Sequence, residues 1–377
     1  MPERVLLIAG EASGDLHGAG LVRALRRMRP GLDVYGVGGD RMREEGMDVL
    51  VHIDKLAFMG FAEVVKNLGT VRDLKQKLTA LLVQRRPDVA VLIDYPGFNL
   101  RFARTIAGQG IPVVYYISPQ VWAWHKSRVK KMRGVVTSMK VVFPFEVEIY
   151  REAGVDVEFV GHPIVERLGA QLQREDFFRI HHLDPSRKLL ALLPGSRVQE
   201  IENIFPVMIE AATRLMRSHG IQVAVGVAPN LGLAPLAGHI GRDSGIITVE
   251  QGTYDLLNSA DAAIVTSGTA TLETGWFGTP MVIVYKTSAL TYQIGRMVVK
   301  VPYIGLANIV AGKKIAPELI QGEVTADRLM QEVLPLLTDD AKARTMREDL
   351  SVIRRNLGGP GASERVAKAV LGLMKPV

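Results

Sequence analysis

The residues best equipped for chemistry lie just beyond short apolar runs. Asp94 closes the run Val89–Ile93, and Pro96, Gly97 and Asn99 follow it. A carboxylate at the C-terminal edge of a strand can act as general base toward a substrate hydroxyl, or can cap a turn or helix. The run Val5-Leu6-Leu7-Ile8 leads into AGEASGD, which places Glu11, Ser13 and Asp15 in a glycine-hinged turn around Gly10 and Gly14. Glycines there allow backbone geometry that larger residues resist. The pattern is neither GxGxxG nor GxxxxGKS/T, which argues against the usual dinucleotide and P-loop sites. Further on, LLPGSR puts Arg197 between a strand and a helix, where a guanidinium and a helix N-terminus both favour phosphate. In AAIVTSGTATLE, Thr266, Ser267, Gly268 and Thr269 crowd a second strand-to-helix turn whose hydroxyls and N–H groups could receive a diphosphate. Glu273, near the first turn of the next helix, could accept hydrogen bonds from a ribose or simply complement the helix dipole.

Two further clusters mix aromatic and basic side chains. Trp122, Trp124 and His125 sit beside Lys126, Arg128, Lys130 and Lys131. Such a cluster could bind a phosphate and pack on a sugar or acyl chain, or stack single-stranded nucleic acid. A solvated basic helix with buried tryptophans has the same composition. Phe58, Met59 and Phe61 precede a basic amphipathic stretch with Lys66, Arg72, Lys75 and Lys77. This segment could lie on an anionic membrane, or cover the core as an ordinary surface helix. The 8 histidines are scattered and no HExxH or DxD pattern occurs, so no metal site is indicated. His162, in GHP, is placed either to face a cleft or to be buried as a cap.

The elements that must position these residues follow from alternation. The apolar runs VLLIAG, DVYGVGG, VAVLIDY, PVVYYIS and KVVFPF are separated by amphipathic segments, which predicts βαβ units and a parallel sheet. A second series, LLALLPGSR, IQVAVGVAP, IITVEQG, AAIVTSGT and MVIVYKT, predicts a second α/β half. Gly161 and Pro163 mark the join. The C-terminal third adds helices and no new strand runs, and Ser363-Glu364 makes a plausible start for the last helix. At 377 residues, two domains are the prior. The absence of cysteine excludes disulfides, thiolate metal sites and cysteine nucleophiles. The net charge of +7 suits an anionic partner such as a phosphorylated substrate, a membrane surface or nucleic acid. No run approaches the roughly 18 apolar residues of a spanning helix, and the N-terminal run is cut at Glu11, too early for a signal-peptide core.

Taken in order, AGEASGDLHGAGL, GVGGDRM, LAFMGFAEV, IDYPGFN, YYISPQVWAW, VFPFE, FVGHP, LLPGSR, SGTATLE and GLANIVAG resemble the lipid-A-disaccharide synthase family across nearly the whole chain. The resemblance implies an α/β, GT-B-like fold with two facing Rossmann-like domains of mostly parallel sheets, and a C-terminal helix crossing back to the first. The expected domains are 1–163 on the acceptor side, 164–351 for the UDP-sugar, and the returning helix at 352–377. The implied reaction joins UDP-2,3-diacylglucosamine to 2,3-diacylglucosamine 1-phosphate with inversion, giving a β-1,6-linked disaccharide 1-phosphate and UDP. No metal, cofactor or nucleic-acid partner is implied. By the same resemblance Asp94 is the general base, with Glu11 and Asp15 as further catalytic groups and Ser13 on the acceptor. Arg197 neutralises the leaving diphosphate, Ser267, Gly268 and Thr269 cradle it, Glu273 holds the ribose and Asn308 lies near the nucleotide. Trp122, Trp124, Lys126 and Arg128 are candidates for the acceptor's 1-phosphate. Phe58, Met59 and Phe61 become a peripheral contact with the cytoplasmic face of the inner membrane in a Gram-negative cell. A homodimer is compatible with the resemblance. One departure stands out: many members have DxPDFN, where this chain has Gly97. A UDP-N-acetylglucosamine 2-epimerase-like enzyme is the alternative, because it also uses two Rossmann-like domains.

Overall fold

The apolar runs pair into two all-parallel sheets in a computed structural model that describes residues 3–56, 68–122, 126–241, 244–289, 292–293 and 301–374. The first sheet holds β1 (Arg4–Ala9), β2 (Asp33–Gly38), β3 (Asp48–His52), β4 (Val89–Ile93), β5 (Val113–Tyr116), β6 (Ser138–Val141) and β7 (Val157–Phe159). Their spatial order is β3-β2-β1-β4-β5-β6-β7. The second holds β8 (Leu189–Leu193), β9 (Gln222–Gly226), β10 (Ile247–Val249), β11 (Ala262–Thr266), β12 (Met281–Tyr285) and β13 (Glu318–Ile320), in the order β10-β9-β8-β11-β12-β13. Strands in such sheets are covered on both faces, which is why they read as unbroken apolar runs rather than alternating ones. Every residue of β4, β8 and β11 is buried.

Helices close the crossovers. They are α1 (Ala12–Met28), α2 (Asp40–Glu44), α3 (Leu68–Gln84), α4 (Pro96–Ala107), α5 (Glu146–Glu152), α6 (Arg174–Ile180), α7 (Val198–His219), α8 (Ala234–Ala237), α9 (Thr253–Ser259), α10 (Thr269–Phe277), α11 (Leu306–Ala311), α12 (Ala326–Thr338), α13 (Asp340–Leu357) and α14 (Ala362–Gly372). The chain divides into one unit of Met1–Glu166 with Leu357–Val377, and a second of Arg167–Asn356. The C-terminal helix α14 thus returns to the first unit. It lies on α1, burying Val366, Ala367 and Val370, and Glu364 pairs with Arg27. Gly20 makes room for it: a Cβ there would stand 2.7 Å from the Ser363 hydroxyl. Gly361 rather than Ser363 caps α14, because the Ser363 amide and hydroxyl both donate to Glu166, at 2.9 and 2.8 Å.

The structure corrects two expectations and, for a third, decides between the two readings the sequence left open. First, β13 adds a strand in the C-terminal third. It is a three-residue edge strand, too short for a periodic signal. Second, α1 begins at Ala12 with Glu11 as its N-cap, so Ser13 and Asp15 belong to a helix and not to a turn. Third, α3 spends its apolar stripe on the core: Leu74, Leu78 and Leu82 are buried while Arg72, Lys75 and Lys77 face solvent. Among the described residues no helix is long and apolar enough to cross a membrane.

Candidate active site

Each sheet reverses its winding once, between β1 and β4 in the first unit and between β8 and β11 in the second. At such a switch point the crossovers leave in opposite directions and open a crevice at the C-terminal strand ends, where ligands of open α/β sheets bind. Register pairs Ala9 with Ile93 and Val265 with Leu193. Directly beyond the first pair come Gly10-Glu11 and Asp94; beyond the second, Pro194-Gly195 leads to Ser196-Arg197 and Thr266 leads to Ser267-Gly268.

In the first unit, Asp94 and Tyr95 both adopt left-handed backbone, with φ of 46° and 50°. Non-glycine residues resist this conformation, at about 1–3 kcal/mol each, and hold it only where the surroundings over-determine it. The half-buried Asp94 carboxyl is pushed up to about 6, chiefly by burial and further by the negative charge of Glu11, while the Tyr95 amide hydrogen-bonded to it pulls the other way. The Tyr95 ring lies over the end of β1, where a Cβ on Gly10 would stand 2.2 Å from it. Glu11 and Ser13 are exposed on the first turn of α1. Asp15 is buried, and its carboxylate accepts hydrogen bonds from the amides of Gly39 (2.6 Å), Arg41 (3.2 Å) and Met42 (3.2 Å) at the start of α2. The carboxylate therefore anchors α1 to α2. Gly97 is exposed near the start of α4, and a Cβ there would meet nothing within 4 Å.

Trp122 is buried, and its indole N–H donates to Glu146 Oε1 at 3.2 Å. Glu146, at the start of α5, also accepts from the Ser118 hydroxyl at 2.5 Å and the Phe143 amide at 3.1 Å. Burial pushes its carboxyl up to about 7 against the pull of these donors. Sequence reasoning quoted VFPFE but missed this glutamate as the anchor of the Trp122 loop. Lys126 and Arg128 lie in the 3₁₀ segment Lys126–Lys131, whereas Trp124, Phe58, Met59 and Phe61 fall outside the described residues. His162 is buried, its Nδ1 accepts from the Ile164 amide at 3.1 Å, and burial lowers it to about 3, so the ring is neutral.

In the second unit, neither α7 nor α10 has a side-chain cap on its N-cap residue, which leaves first-turn N–H groups for an anion. Arg197 is the N-cap of α7, its side chain is 81% exposed, and it touches Glu200 at 3.2 Å. Glu200 also accepts from the Ser196 amide at 3.0 Å and so shapes the GSR loop. At α10, Gly268 has φ 155° with open space above it, and Thr269 is exposed. The Ser267 hydroxyl donates to the Ile304 carbonyl at 2.8 Å and keeps its lone pairs free to accept. Glu273 lies in the second turn of α10, not the first. It accepts from the Tyr254 hydroxyl at 3.2 Å, and burial raises its carboxyl while Tyr254 and Arg167 pull it down. Asn308 differs from expectation. It is wholly buried, its Nδ2 donates to Ala316 O and Glu318 Oε1, both at 2.9 Å, and its Oδ1 accepts from the Ile315 and Ala316 amides. Its amide is saturated, and the side chain braces α11 instead of offering an atom to a ligand.

The chain matches the Lipid-A-disaccharide synthetase family model over residues 5–371. It is 45% identical to the lipid-A-disaccharide synthase of Geobacter sulfurreducens over 376 residues, covering 98% of this chain and 97% of that one. Among solved structures it is similar to CalG4, the calicheamicin glycosyltransferase, with TM-score 0.66 and 16% identity, each chain covered completely. It is equally similar to a UDP-N-acetylglucosamine 2-epimerase from Listeria monocytogenes described as putative, with TM-score 0.66, 14% identity, and 98% and 96% of the two chains covered. At such identities the structural likeness carries the fold alone and does not favour epimerase chemistry. With a switch point in each of two parallel sheets on a GT-B-like fold and a sequence match along almost its full length, the chain belongs to the lipid-A-disaccharide synthase family of glycosyltransferases.

Proposed function

We propose that this chain transfers the sugar of UDP-2,3-diacylglucosamine to the 6-hydroxyl of 2,3-diacylglucosamine 1-phosphate, with inversion at the anomeric carbon. Asp94 takes the hydroxyl proton, the acceptor oxygen bonds to the anomeric carbon, and the bond from that carbon to the diphosphate oxygen breaks with its electron pair leaving on UDP. A carboxyl near 6 is ionised at neutral pH yet more basic than an ordinary aspartate, as a general base requires. The observation that carries the reading is this raised, strained carboxylate at the β1/β4 switch point. Glu11 tunes it and Asp15 positions α1. In the second unit, Arg197, Ser267, Gly268 and Thr269 receive the diphosphate, where charge grows as the bond breaks. Glu273 takes the ribose, for which its second oxygen carries no protein hydrogen bond among the described residues. Ser13, Trp122, Lys126 and Arg128 serve the acceptor, Trp122 through the loop it anchors. The enzyme works as a peripheral protein at the cytoplasmic face of the inner membrane, since both substrates are acylated.

The test measures UDP release and the lipid product by mass spectrometry with both substrates, for the parent protein and Asp94→Ala. Acceptor-dependent disaccharide formation that falls about 100-fold or more in the variant supports the reading. UDP release without acceptor, or an unchanged variant, refutes it.

A further inference from the structure

Resting on the reading of Asp94 as the base, we propose that Tyr115 and Asn99 are positioning residues that clamp the Asp94 peptide in its left-handed conformation and so aim the carboxylate. The Asp94 carbonyl accepts from the Tyr115 hydroxyl at 2.7 Å and from Asn99 Nδ2 at 2.8 Å, which fills both of its lone pairs. On the other side, the Asp94 amide donates to the Tyr116 carbonyl at 3.0 Å. The two peptide planes that flank Asp94 are therefore held, one by Tyr115 of β5 and Asn99 of the first turn of α4, the other by the Tyr116 carbonyl of β5. Both clamping side chains are wholly buried.

Their chemistry is specific to donation. Asn99 Nδ2 also faces the Ile8 and Ile93 carbonyls at 3.4 and 3.3 Å, so the same amide gathers the ends of β1 and β4. Its Oδ1 is buried without a partner among the described residues, a cost accepted only because the N–H end is needed. Aspartate at this position would aim negative oxygens at three carbonyls. Tyr115 is buried too deeply to ionise and remains a donor at every working pH. Without these donors the Asp94 amide bond to the Tyr116 carbonyl remains, but the carbonyl side is released and Asp94 can relax toward right-handed backbone, which would turn its carboxylate away from the acceptor hydroxyl.

Tyr115→Phe removes one hydroxyl and keeps the ring in the core. We expect kcat to fall about 10- to 100-fold, as misaimed catalytic groups do, with KM for the UDP-sugar unchanged. Asn99→Ala, checked by thermal unfolding for a retained fold, should behave alike. The decisive measurement is the double variant Asp94→Ala/Tyr115→Phe. If Tyr115 acts through the carboxylate, the double variant is no slower than Asp94→Ala alone. A multiplied loss in the double variant, or a Tyr115→Phe enzyme at the parental rate, overturns the clamp while leaving Asp94 as base. A fully active Asp94→Ala overturns the base, and the clamp with it.

Discussion

At the residue scale, the chemistry turns on how each carboxylate is spent. Asp15 and Asp94 are both carboxylates that follow an apolar run, Asp94 directly after Ile93 and Asp15 within the AGEASGD segment after Ile8. Asp15 satisfies three amides at the start of α2, whereas Asp94 keeps its carboxylate at the strand end with a raised pKa. That contrast was not legible in the sequence, because the amides of residues 39–42 reach Asp15 only through packing. A pH dependence follows. Asp94 must be ionised to accept a proton, so kcat/KM should rise with pH through about 6 and flatten above it. Glu11 contributes to the upward shift by like-charge repulsion, after burial. Glu11→Gln should therefore move the acid limb to lower pH, and pH–rate profiles of the two proteins read the shift directly. A limb that stays in place would remove Glu11 from this role. The departure at Gly97 has a packing consequence at this scale. Open space around it means that the missing aspartate leaves no packing defect.

At the scale of elements, close approach between strands and helices dictates several residue choices. Gly36 lies in β2 with φ 143°, and a Cβ there would stand 2.1 Å from the Leu7 carbonyl of neighbouring β1. Beside it the β2–β3 register shifts between Gly36 and Val37. Gly36→Ala combines a backbone clash with a disfavoured φ, and should lower stability by about 3 kcal/mol or more. Urea unfolding followed by circular dichroism measures this, and a loss below about 1 kcal/mol would show that the sheet simply adjusts. The strand runs of both sheets were legible because a parallel sheet buries both faces. The short edge strands β3, β7 and β13 were not, since edge strands need fewer apolar residues and leave no period to count.

At the scale of the molecule, two units repeat one winding order, and Glu11 with Asp94 in one, Arg197 with Ser267 in the other, follow the strands that flank each unit's switch point. The basic excess of +7 and the apolar Phe58, Met59 and Phe61 together favour an anionic bilayer surface. The buried stripe of α3 is not available for that contact, which concentrates the expectation on those three residues. Changing all three to serine should abolish co-flotation with anionic vesicles while leaving the unfolding temperature unaltered. Retained flotation would assign membrane attachment elsewhere.

What the sequence determined by itself was the class of fold, the main strands, the family and the placement of Asp94 and Arg197 just beyond strands. These depend on local order along the chain: apolar runs, the polar residues that end them, and the spacing between motifs. Only the tertiary structure decided which polar side chains remain available. Asn308 is saturated, Asp15 is a helix anchor, Trp122 is tethered to Glu146, and Asp94 is clamped by Tyr115 and Asn99. Each of these outcomes rests on hydrogen bonds between residues brought together by parallel pairing and helix crossovers. Sequence patterns record that a polar group is present, and packing determines whether its lone pairs and protons are already taken.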